Sequence, residues 1–131
     1  MKSAAPLQEE KMRIIKMNEM PKEPYINPLF TGTDVTKQFL ISDSKDLQLS
    51  IINFGKGIRN KFHVHDSDQI LIVTAGKGIV ATEKEERIVG VGEVIFFPAG
   101  EKHLHGATDD SEFSHIVFLK AGVRYTQSDP K

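Results

Sequence analysis

The chain has 131 residues, 17 basic against 18 acidic side chains, and no cysteine. This length suits one domain that buries its core without staples, and the near-balanced charge, with no basic stripe, argues against a nucleic-acid partner. The missing thiols exclude disulfide frameworks, thiolate zinc sites and cysteine nucleophiles, so any metal must be held by histidine, carboxylate or amide groups.

The N-terminal run MKSAAPLQEEKMRIIKM has no apolar stretch of signal-peptide type, and runs such as Ile70 to Val73 are far too short to span a bilayer. The expected location is therefore the cytoplasm, without membrane contact. Residues 1–20 are expected as an N-terminal tail, loose at first, with Met12 to Met17 a strand that could pair with a partner subunit. The proline-rich stretch NEMPKEPYINPLF predicts an extended or irregular segment.

A succession of short strands follows. Val35 to Ile41 is one, and Leu47 to Ile52 alternates as a half-buried strand. Lys61 to His65, Gln69 to Thr74, Gly78 to Thr82, Arg87 to Val91, Val94 to Phe97, Lys102 to Ala107 and Phe113 to Lys120 complete the set. Turn signals separate them: GKG at 55–57 and 76–78, EKEE at 83–86, VGE at 91–93 and PAGE at 98–101. No segment after residue 20 carries a helical period. The pattern predicts one all-β domain over residues 21–120, a sandwich or barrel with the jelly roll among the options, and a polar, loose C-terminal tail over 121–131.

All five histidines fall between positions 63 and 115. His63 and His65 stand two apart, so on a strand both face one way. His103 and His105 repeat the arrangement, and His115 lies in phase with Phe113, Val117 and Leu119. One such pair is as readily surface decoration or polar core filler. Two pairs on facing strands of a small barrel would instead converge imidazoles, the commonest metal ligands near neutral pH.

The spacing Gly57-x5-His63-x-His65-x3-Gln69-x6-Gly76 resembles the first cupin motif, and Gly92-x5-Pro98-x-Gly100-x2-His103 resembles the second. The resemblance covers roughly residues 25–120 and implies a cupin jelly-roll β-barrel holding one divalent metal ion per chain. By position it makes His63, His65 and His103 metal ligands, with Gln69 where most cupins carry a glutamate and Ala107 where the second motif usually ends in asparagine. A narrower resemblance is to small bacterial cupins that act as hydroxynitrile lyases with manganese or iron. These also use a His, His, Gln, His set and have a histidine at the position of His115. The runs QILIVTAGKG and GEKHLHGA are similar to theirs, whereas Leu104 replaces a tryptophan and Lys61 a small residue. Manganese or iron is the expected metal, with nickel, zinc or cobalt as alternatives, and cupins of this size commonly form homodimers.

An amide ligand cancels none of the metal's charge, which favours Lewis-acid chemistry over the two-histidine, one-carboxylate iron site of oxygenases. His105 and His115 are candidates for acid–base work, or else they position the ligands. Lys61 is a candidate anchor for an anionic group, or a surface lysine. Phe39, Leu49, Ile51, Leu71, Val73 and Phe96 are the expected walls of a mostly apolar cavity for a small organic ligand. Three functions fit: a metal-dependent lyase or isomerase, a metal-dependent dioxygenase, and a non-catalytic binding or sensing module.

Overall fold

The computed structural model describes residues 11–127; the tail segments expected over 1–10 and 128–131 lie outside the described residues. Among the described residues ten strands form one curled antiparallel sheet of jelly-roll type. They are β1 (Glu23–Pro24), β2 (Val35–Ile41), β3 (Leu47–Phe54), β4 (His63–His65), β5 (Gln69–Thr82), β6 (Glu86–Gly90), β7 (Val94–Phe97), β8 (His103–Ala107), β9 (Phe113–Lys120) and β10 (Tyr125–Gln127). The order is β1-β2-β3-β9-β5-β8-β4-β10, with β6 and β7 also paired to β5. A 3-10 turn at Met17–Glu19 is the one helical element among the described residues.

Three local differences from the sequence reading have physical causes. The expected break at 76–78 is absent, because β5 runs unbroken from Gln69 to Thr82. It changes partners instead: its first half pairs with β7 and β9, its second half with β6 and β8. Gly76 makes the bend possible. Its φ is +74°, and a Cβ there would run into the carbonyl of Glu112. Met12 to Lys16 forms no strand within the chain, and Met12 and Ile14 stay exposed. The turn that follows is tied to the outer face of β2, where Gln38 Nε2 donates to the carbonyls of Met17 (3.2 Å) and Met20 (3.0 Å). Finally, the C-terminal tail contributes β10, which pairs with β4 along Tyr125↔His65 and Gln127↔His63.

The apolar floor of the sheet gathers Phe30, Phe54, Leu71, Val73, Ala107 and Phe113. Phe54 stacks on Phe113 at 6.2 Å between ring centres, and Phe30 meets Phe54 edge-on at 5.7 Å. Each buried phenylalanine contributes about 1.5–3 kcal/mol by leaving water. This floor makes a rigid platform beneath the polar groups described next.

Candidate functional site

Strand β4 is only three residues long and meets β8 at one register pair, His63↔His103. The two-residue period of a strand then brings His65 and His105 to the same inner face. Gln69 opens β5 opposite Phe97, which puts both inside. His115 on β9 lies opposite Val73, deeper on the floor. His63, Gln69, His103, His105 and His115 are all at most 5 % exposed.

Backbone carbonyls orient two of these rings. His63 Nδ1 donates to the Lys61 carbonyl (2.7 Å), and His103 Nδ1 donates to the Glu101 carbonyl (2.9 Å). A carbonyl only accepts, so in each ring the proton is on Nδ1 and the Nε2 lone pair faces inward. His63 Nε2 lies 3.1 Å from His65 Nε2, and His103 Nε2 lies 3.0 Å from Gln69 Oε1. Adjacent ligands at about 2.1 Å from one octahedral cation would be about 3.0 Å apart. An amide flip of Gln69 would replace its oxygen by a donor, but the two Nδ1 bonds do not depend on that choice. Inward lone pairs at this spacing fit a cation.

His63, His103 and His105 also present nitrogen atoms within 4.8 Å of one another, a three-histidine group that could hold a metal ion. His105 differs from the other two in how it is bonded. Asn60 Oδ1 accepts from the His105 backbone N–H (2.8 Å), so Asn60 Nδ2 is the donor to His105 Nε2 (3.3 Å). The His105 proton is then on Nδ1, which is buried and has no partner among the described residues. In His115 the Nδ1–H donates to the Ile116 carbonyl (3.2 Å), leaving a buried, unpartnered acceptor at Nε2. The two rings meet edge to face, 5.0 Å apart. One bare donor and one bare acceptor are therefore carried by two neighbouring rings.

Burial keeps these imidazoles neutral. It pushes His103 down to about 3 and His115 and His65 down to about 4, with the His63 ring lowering His65 further. His63 is lowered by burial against its bond to the Lys61 carbonyl, and His105 is held well below the usual range by burial and then by His115. At neutral pH every lone pair named above is free of a proton.

His63, His65, Gln69, His105 and His115 line a cavity of about 250 Å³. Its walls correct several expectations. On β3 the inner residues are Gln48, Ser50, Ile52 and Phe54, while Ile51 lies on the outer face beside Gln38 and Met17, and Leu49 shares its phase. Phe96 is 57 % exposed in an outer groove, because the Gln69↔Phe97 pairing turns Phe97 inward to stack on His103 at 3.9 Å. Phe39 sits at the rim, 40 % exposed, and Leu71 and Val73 are sealed in the floor below the cavity. The Lys61 side chain is not on the wall; its carbonyl orients His63 instead. The lysine on the wall is Lys37, and Asn60, Tyr25, Val123 and Tyr125 join it. Tyr125 closes one side, its hydroxyl accepting from Asn27 Nδ2 at 2.8 Å. No local pattern marks these positions in the sequence, although the phase of Phe113, His115, Val117 and Leu119 does follow the inner wall.

Residues 50–119 match the family described as "Cupin domain". The chain is 36 % identical over 92 residues to (R)-mandelonitrile lyase of Granulicella tundricola, spanning 67 % of this chain and 69 % of that protein. It is 34 % identical over 85 residues to the pectin degradation protein KdgF of Dickeya dadantii, spanning 64 % of this chain and 76 % of that one. Among solved structures it is similar to a cupin-like protein from Thermotoga maritima, with a TM-score of 0.74 and 29 % identity over 84 % of this chain and 89 % of that one. No helix among the described residues is long and apolar enough to cross a membrane.

Proposed function

This chain belongs to the cupin domain family, and from that premise we propose that it is a metal-dependent lyase or isomerase of small organic molecules. The observation that carries the reading is the inward pair of neutral Nε2 lone pairs on His63 and His103, with His65 Nε2 and Gln69 Oε1 beside them. These four residues would hold one divalent ion, manganese or iron first and nickel, zinc or cobalt otherwise. His105 is less suited to the role because its Nε2 lone pair already accepts from Asn60. Bound there, the ion would supply Lewis acidity that the uncharged amide of Gln69 leaves undiminished.

The chain's own residues supply the rest. His105 Nδ1–H and His115 Nε2 form a donor–acceptor pair of the kind a hydroxyl requires. The hydroxyl oxygen accepts from His105, and its proton passes to His115. A cyanohydrin illustrates the balance: as the O–H proton leaves, the carbonyl forms and cyanide departs with the C–C bonding pair. The named lyase relative supports this class without identifying the substrate. The floor of Phe54 and Phe113 excludes water from that proton transfer.

Metal analysis of wild type and of a His63→Ala, His103→Ala double variant tests the site. One equivalent per chain in the first and none in the second is expected; equal, negligible content in both overturns it. Parallel aerobic and anaerobic substrate screens separate lyase chemistry from oxygenase chemistry, which would consume dioxygen. The proposal extends to a homodimer, motivated by the outer groove that leaves Ile88, Val94 and Phe96 exposed.

A further inference from the structure

The polar groups of the cavity are arranged at two ends. The histidine end is built from β4, β5, β8 and β9. Across the sheet, Lys37, Ile52 and His115 form one row, since Lys37 pairs with Ile52 and Ile52 with His115. Directly opposite residues share a face, so all three project inward. Two strand spacings put the Lys37 Cα about 10 Å from the His115 Cα. Near Lys37 the wall is polar, with Gln48 and Ser50 next along β3.

Among the described residues Lys37 is the one lysine or arginine on this wall, and no aspartate or glutamate lines it. The ammonium lies 4.8 Å from the ring centres of both Tyr25 and Phe39, which shield it without neutralising it. The carboxylate that register brings nearest is Glu23, directly across on β1, yet it is exposed and makes no ion pair with Lys37. Burial lowers the Lys37 pKa, and no acidic neighbour raises it back. A half-buried cation without a counter-charge among the described residues, facing a cavity, is incomplete on its own and is completed by an anion.

We propose that Lys37 determines specificity in this cavity by binding the carboxylate of a small organic anion whose hydroxyl or carbonyl end lies at the histidines. The substrate class is then a hydroxy or oxo carboxylate, long enough to bridge the two ends. The proposal rests on reading the histidine end as the reacting end, and deepens that reading from oxygen ligand to charged substrate. It also gives Tyr25 and Phe39 a purpose: they hold the lysine side chain in one direction, so less freedom is lost when the anion binds.

4-(Hydroxymethyl)benzoate and 4-(hydroxymethyl)benzamide share size, ring and hydroxyl, carry the two polar groups at opposite ends, and differ in one charge. Titration calorimetry with the manganese-supplemented protein should show the benzoate bound about ten-fold tighter than the benzamide, the usual scale of a charge-assisted contact. Lys37→Gln should bring the ratio near one and leave benzamide affinity unchanged, and Lys37→Arg should restore the preference. Equal affinity in wild type, no benzoate binding at millimolar concentration, or a preference that survives Lys37→Gln would overturn the proposal. The last outcome would place the carboxylate at the histidines. Metal content measured on the same samples keeps the two readings apart: a Lys37-dependent preference in metal-free protein would spare this inference and sink the metal site.

Discussion

His115 should make the metal-free protein sensitive to acid, by an amount that can be worked out. The side chain is fully buried, and burial pushes its imidazole from an ordinary 6.5 down to about 4. The folded-state value is the lower one, so the unfolded chain binds more protons between pH 6.5 and about 4. The stability is therefore fully present above pH 6.5 and is lost as pH falls towards 4. Between pH 7 and pH 5 this one group costs about 2 kcal/mol, a large share of a typical 5–15 kcal/mol. His115→Leu removes the titration and keeps an apolar side chain of similar size. It also removes the charge repulsion with the His105 ring, 5.0 Å away, which acts in the same direction. The assay is urea denaturation of both metal-free proteins at pH 7 and pH 5. Wild type should lose about 2 kcal/mol more than the variant over that interval. Equal losses would show that the buried imidazole is not held neutral, and the tautomer argument for its bare Nε2 acceptor would fall with it.

Gly106→Ala should cost about 2–4 kcal/mol and weaken metal uptake together. The added Cβ would run into the Cα and Cβ of Arg59 and come within 2.7 Å of the Ile58 carbonyl. Relief would strain the flanking Asn60–His105 and Ala107–Ile58 backbone bonds, both 2.9 Å, on the strand that carries His103. An unchanged denaturation midpoint would contradict the close approach. Gln69→Glu should keep the metal yet slow turnover of the substrate found by screening, because the added charge weakens Lewis acidity. Equal or faster turnover at matched metal content would remove that role from the amide. Light scattering should give a dimer mass at micromolar concentration, and a monomer mass would leave the groove at Phe96 without its proposed cover.

Some of this protein is written locally in its sequence. Val35–Ile41, Val94–Phe97 and Phe113–Lys120 are strands with the bounds that alternation and turn residues suggest, because side-chain period and turn chemistry act over a few residues. The two His-x-His spacings place four imidazoles on inner faces for the same reason. Other features depend on how the sheet closes. Leu47–Phe54 carries apolar side chains in both phases, because one face lines the cavity while the 3-10 turn at Met17–Glu19 packs against part of the other. Only closure made Ser50 and Ile52 the inner pair and sent Ile51 outside. Nor does local pattern distinguish Lys37 from Lys61. Both are lysines in strand-like runs, but Lys37 pairs with an inward Ile52, while Lys61 precedes β4 and uses its carbonyl to orient His63. Tyr125 joined the wall through pairing with a strand sixty residues away. Such contacts are set by which strands meet, and short-range periodicity carries no information about that.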